Sequence, residues 1–157
     1  MDTLDSGVLL FTYGTLMLTT GIAQVDAATR SAGPALGRGY IHGLLFDLGE
    51  YPGAVPLPGP HTPDEDAPKV WGRLIRLRDP AAFFSVIDAY EGFDPARRAA
   101  SEFVRAEAFI FLETGQRLTC QVYYYNFPTQ ARLAILGGDY LAHWHAKGRP
   151  AQGRIGS

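Results

Sequence analysis

This chain cannot run far without a break: 18 glycines and 11 prolines stand among its 157 residues. The apolar runs between them are short, Val8-Leu9-Leu10-Phe11 being typical. Glycine admits backbone angles closed to other residues and proline withholds an N–H donor, so this spacing suits many short strands joined by turns. No run approaches the ~18–20 apolar residues needed to cross a bilayer. With 46% hydrophobic and 19% charged residues the chain is too apolar for disorder. Its length fits one domain, taken as residues 1–147, followed by a polar, glycine-rich tail over 148–157.

Along the chain, Val8–Tyr13 reads as a first strand halted by Gly14. Thr19 or Thr20 is placed to cap a helix running to Ser31 and ended by Gly33-Pro34. Leu36–Leu48 reads as a long strand, interrupted at Gly39 and Gly43 by bulges or close backbone approach. A turn over Gly49–Gly53 leads to a short strand at Ala54–Leu57, and Pro58–Pro68 reads as an exposed loop. Val70–Arg78 alternates, but neither face is purely polar, which predicts a strand covered on both sides. Asp79 and Pro80 supply the N-cap and N1 residues of a helix through Phe83, Phe84 and Ile87 to Gly92. Glu102–Leu112 and Arg117–Asn126 form a predicted hairpin around Glu113–Gln116, and Pro128–Leu136 a last short helix stopped by Gly137-Gly138. The pattern as a whole predicts an α+β fold: a small, mainly antiparallel, barrel-like sheet with two or three flanking helices.

Several chemistries find no support. A formal net charge of −2 offers no electrostatic footprint for nucleic acid or an anionic membrane. Asp2 and Asp5 stand where a secretory signal would be basic, so none is expected and the cytoplasm is the expected compartment. There is no phosphate loop of the G-x-x-x-x-G-K-[ST] type and no G-x-S-x-G elbow. Gly37-Arg38-Gly39 starts like a dinucleotide fingerprint, but His42 occupies the third glycine position. His143 and His145 flank Trp144 without an acidic cluster and read as surface histidines, so neither a metal nor a cofactor is expected. Cys120, the single cysteine, reads as a small packing residue.

Two segments remain. Phe11-Thr12-Tyr13-Gly14-Thr15-Leu16 is an apolar strand ending in a glycine turn. Either Gly14 merely ends the strand, or the N–H groups of Gly14, Thr15 and Leu16 converge into an anion-binding concavity. Ile87-Asp88-Ala89-Tyr90-Glu91-Gly92-Phe93 ends a helix with a carboxylate one residue before its glycine. The helix dipole disfavours a carboxylate there, so Glu91 is either solvated or placed for a purpose. In the second case, desolvation by the flanking Tyr90 and Phe93 would raise its pKa, which suits proton transfer near neutral pH. Asp88, three residues earlier on the same helix face, is either a competing carboxylate or a solvated one.

Together these segments resemble the gamma-glutamylcyclotransferase-like (AIG2-like) family, whose first strand ends in Tyr-Gly-Ser/Thr-Leu and whose helix ends in (Leu/Ile)-Asp-x-x-Glu-Gly. Asp47-Leu48-Gly49 with Tyr51-Pro52, Val70-Trp71-Gly72-Arg73-Leu74, Phe103-Val104-Arg105, Val122–Asn126 and Gly138-Asp139-Tyr140 are similar to later family landmarks, in the same order. The long Pro58–Pro68 loop and Asp94–Ser101 depart from the pattern. The resemblance implies cyclisation of a gamma-glutamyl compound to 5-oxoproline with release of an amine. It implies Glu91 as the catalytic acid–base, Tyr13, Gly14, Thr15 and Leu16 at the substrate, and no cofactor. Tyr125 is either a hydrogen-bonding neighbour of the substrate or a sheet-packing residue. The alternative is a non-catalytic module on the same fold, holding a small ligand or a protein partner.

Overall fold

The computed structural model describes residues 7–14, 22–49, 51–57 and 66–146. Five strands close into a barrel: β1 (Leu9–Thr12), β5 (Lys69–Arg76), β2 (Ala35–His42), β6 (Phe103–Leu112) and β7 (Arg117–Tyr125). Neighbours are antiparallel except where β7 meets β1, in parallel, through the pair Leu10 and Gln121. A second sheet orders β4 (Pro52–Val55), β3 (Leu44–Asp47) and β8 (Leu133–Ala134). Helices α1 (Ala23–Arg30), α2 (Pro80–Glu91) and α3 (Tyr140–Ala146), with a 3-10 turn at Pro95–Ala100, complete the described elements. The α+β barrel expected from the sequence is the fold observed.

The apolar character of the first strand follows from what covers it. Leu9 and Phe11 point into the barrel with Ile41, Leu74, Ile110 and Val122. Leu10 points the other way, into a second cluster with Phe83, Phe84 and Ile87 of α2 and with Phe103 and Tyr123. All four β1 residues are therefore buried, as in a strand covered on both faces. Each fully buried aliphatic or aromatic side chain contributes about 1.5–3 kcal/mol, so the second cluster fixes α2 to the barrel wall.

The Leu36–Leu48 segment is two strands, not one. A Cβ at Gly43 would lie 2.8 Å from the Val55 carbonyl oxygen, so only glycine lets the chain turn there from the barrel into the second sheet. At Gly39 the expected close approach is present, to the Phe111 carbonyl at 2.5 Å from a notional Cβ, whereas the bulge falls between Ala35 and Gly37. Strand β4 starts at Pro52 rather than Ala54 because the Leu48 N–H bonds to the Tyr51 carbonyl at 3.0 Å and closes a tight hairpin.

Two helix assignments are corrected. Helix α1 begins at Ala23, after Ile22 and without a side-chain cap; Thr19 and Thr20 lie outside the described residues. The helix expected over Pro128–Leu136 does not form. The open edge of β3 takes that segment instead: Ala134 pairs with Phe46, and the Ile135 N–H bonds to the Leu45 carbonyl at 2.8 Å. The last helix follows the glycines, at Tyr140, with Asp139 accepting from the Ala142 N–H at 3.2 Å. Residues 58–65 of the proline-rich loop and the tail over 148–157 lie outside the described residues. Among the described residues no helix is long and apolar enough to cross a membrane.

Candidate active site

Helix α2 is built as its sequence demands. Asp79 accepts from the Ala82 N–H at 3.2 Å, and Pro80 occupies the first turn, where its missing N–H costs nothing. Gly92 ends the helix at φ +74°, with the Phe93 N–H bonded to the Asp88 carbonyl at 2.8 Å. The buried stripe runs Phe83, Phe84, Ile87 and then Glu91. Glu91 thus sits where the helical period calls for an apolar residue, and its exposure is 0%. Of the two readings of this position, the solvated one is overturned: the stripe carries the side chain inward.

The interior it enters is shared with the end of β1. The charge of Glu91 is felt at the hydroxyls of both Tyr13 and Tyr123, in each case adding to an upward push caused first by burial. Two motifs more than seventy positions apart in the chain are therefore brought into electrostatic reach. Tyr13 is itself buried, and its hydroxyl is engaged within the fold. It donates to the Tyr123 carbonyl at 2.6 Å and accepts from the Ala54 N–H at 3.1 Å, joining β4 to β7. Gly14 follows at the half-buried end of the strand, while Thr15 and Leu16 lie outside the described residues.

Asp88 is neither solvated nor an idle second carboxylate. Arg105 on β6 donates from Nε to Oδ1 at 2.9 Å and from Nη2 to Oδ2 at 3.1 Å, and the Tyr123 hydroxyl donates to Oδ1 at 2.6 Å. Burial pulls the Arg105 pKa down, but the Asp88 contacts outweigh that and leave it raised. The guanidinium also lies 3.8 Å above the Phe84 ring and donates to Gln121 Oε1 at 3.3 Å. Below Gly92, the Glu102 N–H bonds to the Gly92 carbonyl at 3.3 Å, and the Glu102 carboxylate accepts from the Tyr51 hydroxyl.

Tyr125 packs edge-on against Phe103 at 5.5 Å between ring centres and against Phe127 at 5.9 Å, its hydroxyl 3.5 Å from Arg132 Nη2. Sheet packing accounts for its position. Tyr51, Arg105 and Tyr123 entered the sequence analysis only as parts of landmark segments and Glu102 only as a strand end, none with a role at the site. Arg105 offered the one available signal, a cation inside a predicted strand.

The remaining reactive side chains are engaged in structure. His143 is not a free surface histidine: its Nε2 lies 2.9 Å from Oδ2 of the buried Asp47, whose Oδ1 accepts from the Gly49 N–H at 2.8 Å. The side chain of His145 is outside the described set. Cys120 is buried, and its thiol is pushed up to about 12 by burial and then by the charge of Glu107. Among the described residues no group of three or more His, Cys, Asp and Glu is placed to hold a metal ion.

Comparison with known proteins now bears on this geometry. No curated protein matches the sequence. Among solved structures, an AIG2-like protein from Mus musculus superposes with a TM-score of 0.63 at 20% identity, over 94% of this chain and 96% of its own. YkqA from Bacillus subtilis gives 0.60 at 20% identity over 90% of this chain, which spans only 42% of YkqA. A gamma-glutamyl cyclotransferase gives 0.51 at 18% identity, over 75% of this chain and 66% of its own. These likenesses show the fold. The sequence itself matches the family "Gamma-glutamyl cyclotransferase, AIG2-like" over residues 10–142. Matched along most of its length, with both signature segments in place, the chain belongs to the AIG2-like gamma-glutamyl cyclotransferase family.

Proposed function

We propose that this protein cyclises a gamma-glutamyl compound to 5-oxoproline and releases the amine, with Glu91 as the proton-transfer group. The observation that carries the reading is the complete burial of Glu91 at the end of α2, within electrostatic reach of Tyr13 at the end of β1.

The reaction needs no enzyme nucleophile. The substrate's α-ammonium gives a proton to the Glu91 carboxylate, and the freed amine attacks its own γ-carbonyl. A new C–N bond closes the five-membered ring, Glu91 hands its proton to the leaving nitrogen as the old amide C–N bond breaks, and the second proton of the ring nitrogen passes through Glu91 to the released amine, which departs as its ammonium. One carboxylate thus serves both steps and ends as it began. Holding the glutamyl chain folded supplies orientation, worth up to ~7–11 kcal/mol in well-ordered intramolecular reactions. Acid–base transfer adds about 10²–10⁴-fold in rate. On the family resemblance, the N–H groups of Gly14, Thr15 and Leu16 are assigned to the substrate's α-carboxylate, the kind of anion that successive backbone amides bind. The same reading takes residues 1–147 as the working domain, acting in the cytoplasm on a small-molecule substrate.

The test is release of 5-oxoproline from a panel of gamma-glutamyl amino acids and amines, by the parent and by Glu91→Gln. Turnover by the parent that is lost in the variant supports the assignment. A parent that binds these compounds but turns none over favours a binding module.

A further inference from the structure

Glu91 stands in the last turn of α2. The last turn of α2 meets the barrel through a bonded chain of four side chains, one turn of helix away from it. Arg105 and Tyr123 both donate to Asp88; the Tyr123 carbonyl accepts from the Tyr13 hydroxyl; the Tyr13 hydroxyl accepts from Ala54. The chain therefore starts at the residue before Gly14 and ends three residues before Glu91, on the helix face that Glu91 shares. Its members come from the residue after β1 and from β4, α2, β6 and β7, so it ties together the elements that carry the two signature segments.

We infer that Asp88 is a positioning residue: clasped by Arg105 and Tyr123, it sets the distance between the Glu91 carboxylate and Tyr13 at the end of the first strand. This inference rests on the cyclotransferase reading of the site. Three features argue for positioning rather than general stability. The clasp is two-pronged on Asp88, with Arg105 meeting both carboxylate oxygens, which fixes orientation as well as distance. Arg105 is itself held in register by Phe84, one helical turn before Asp88, and by Gln121. Moreover, the carboxylate of Glu91 acts electrostatically on Tyr13 and Tyr123, the two tyrosines of the chain. A displacement of order 1 Å in a reacting group costs up to about 10²-fold in rate, so the clasp is where a distant substitution reaches the chemistry.

Four variants of the full chain test it: Tyr123→Phe, Asp88→Asn, Arg105→Ala and Arg105→Lys. Tyr123→Phe is the mildest, since it removes one donor to Asp88 and leaves the backbone carbonyl that Tyr13 uses. The probes are γ-glutamylalanine and γ-glutamylbutylamine, assayed well below each variant's Tm. Positioning predicts that kcat falls about 10-fold in Tyr123→Phe and up to about 10²-fold in Asp88→Asn and Arg105→Ala, with KM held within about threefold. Arg105→Lys should recover part of the loss, because the charge returns without the two-pronged geometry. A second readout needs no turnover: the ¹³C carboxyl resonance of Glu91 should move in Tyr123→Phe toward that of solvated glutamates. If the parent is active and Glu91→Gln is not, but the clasp variants keep the parent's kcat, the clasp is only structural and the inference falls. If neither the parent nor Glu91→Gln releases 5-oxoproline, the enzymatic reading falls by itself and the Glu91 resonance decides. Its movement in Tyr123→Phe upholds positioning, and its constancy overturns it.

Discussion

Replacing Asp88 with alanine removes the acceptor of three hydrogen bonds at once, and its effect on stability follows from their geometry. Two come from the Arg105 guanidinium and one from the Tyr123 hydroxyl, all between 2.6 and 3.1 Å. Bonds to charged groups contribute about 1.5–3 kcal/mol each, but they do not add in full where a partner regains water. Here the side chains are 24% and 16% exposed, so Arg105 rehydrates in part and keeps its seat on Phe84. Breaking a buried pair by removing one partner costs about 3–5 kcal/mol, which sets the upper limit. The expected loss is therefore about 2–4 kcal/mol, or a drop in Tm of roughly 5–15 °C for a domain of this size. Urea denaturation followed by circular dichroism measures it, and a double-mutant cycle with Arg105→Ala isolates the pair, for which a coupling of about 1–3 kcal/mol is expected. A loss below about 0.5 kcal/mol, or strict additivity in the cycle, would refute the clasp as a working contact.

The other expectations follow from single observations. Glu91→Gln should lower 5-oxoproline release by about 10²–10⁴-fold with the fold retained, because the amide matches the carboxylate in size at this fully buried position; parent-like turnover would remove Glu91 from the mechanism. Tyr13→Phe should cost about 1–3 kcal/mol in urea titration, since the Ala54 N–H and the Tyr123 carbonyl lose their shared partner. Stability should fall in alkali. Cys120 and Tyr124 are both pushed up to about 12, chiefly by burial, and Tyr13 and Tyr123 are raised as well. Folded groups that hold protons longer than unfolded ones stabilise fully below the unfolded values of about 8.5–10, and that contribution drains away as pH climbs toward 12. Urea midpoints measured from pH 7 to 11 should decline above about 9, and a flat profile would contradict the burial of these groups. For the same reason native Cys120 should react with a thiol reagent at pH 8 only on unfolding, which a stopped-flow comparison with and without urea detects.

What could be read from residue order was whatever local chemistry decides. The Asp79-Pro80 start and Gly92 stop of α2 were legible because capping involves neighbours within four positions. The β6–β7 hairpin was legible because its turn joins adjacent strands. The Pro128–Leu136 segment was misread because its partner, the open edge of β3, lies nearly ninety positions earlier and outweighs a weak helical preference. At the site, Glu91 was legible as a residue type in a recognisable segment, but its complete burial was not, since that depends on the barrel wall against which α2 packs. The Asp88 clasp could not be foreseen: Arg105 and Tyr123 lie 17 and 35 positions away, and only the barrel's register brings them together.

The seam of the barrel has a consequence for how the protein is made. Strand β1 leaves the ribosome before the other strands of the barrel, yet one of its two neighbours is β7, met in parallel at Gln121, and the Tyr13 hydroxyl must wait for the carbonyl of Tyr123, 110 positions later. At about 5–20 residues per second, the first strand stays unclosed for roughly 5–20 s of synthesis, apolar on both faces. During that interval the strand that leads into the candidate site is an apolar edge open to nascent neighbours on the same polysome or to a chaperone. A ribosome stalled anywhere before Tyr125 would hold a chain whose barrel cannot close, so pausing late in the message, rather than early, is where synthesis and folding of this protein come into conflict.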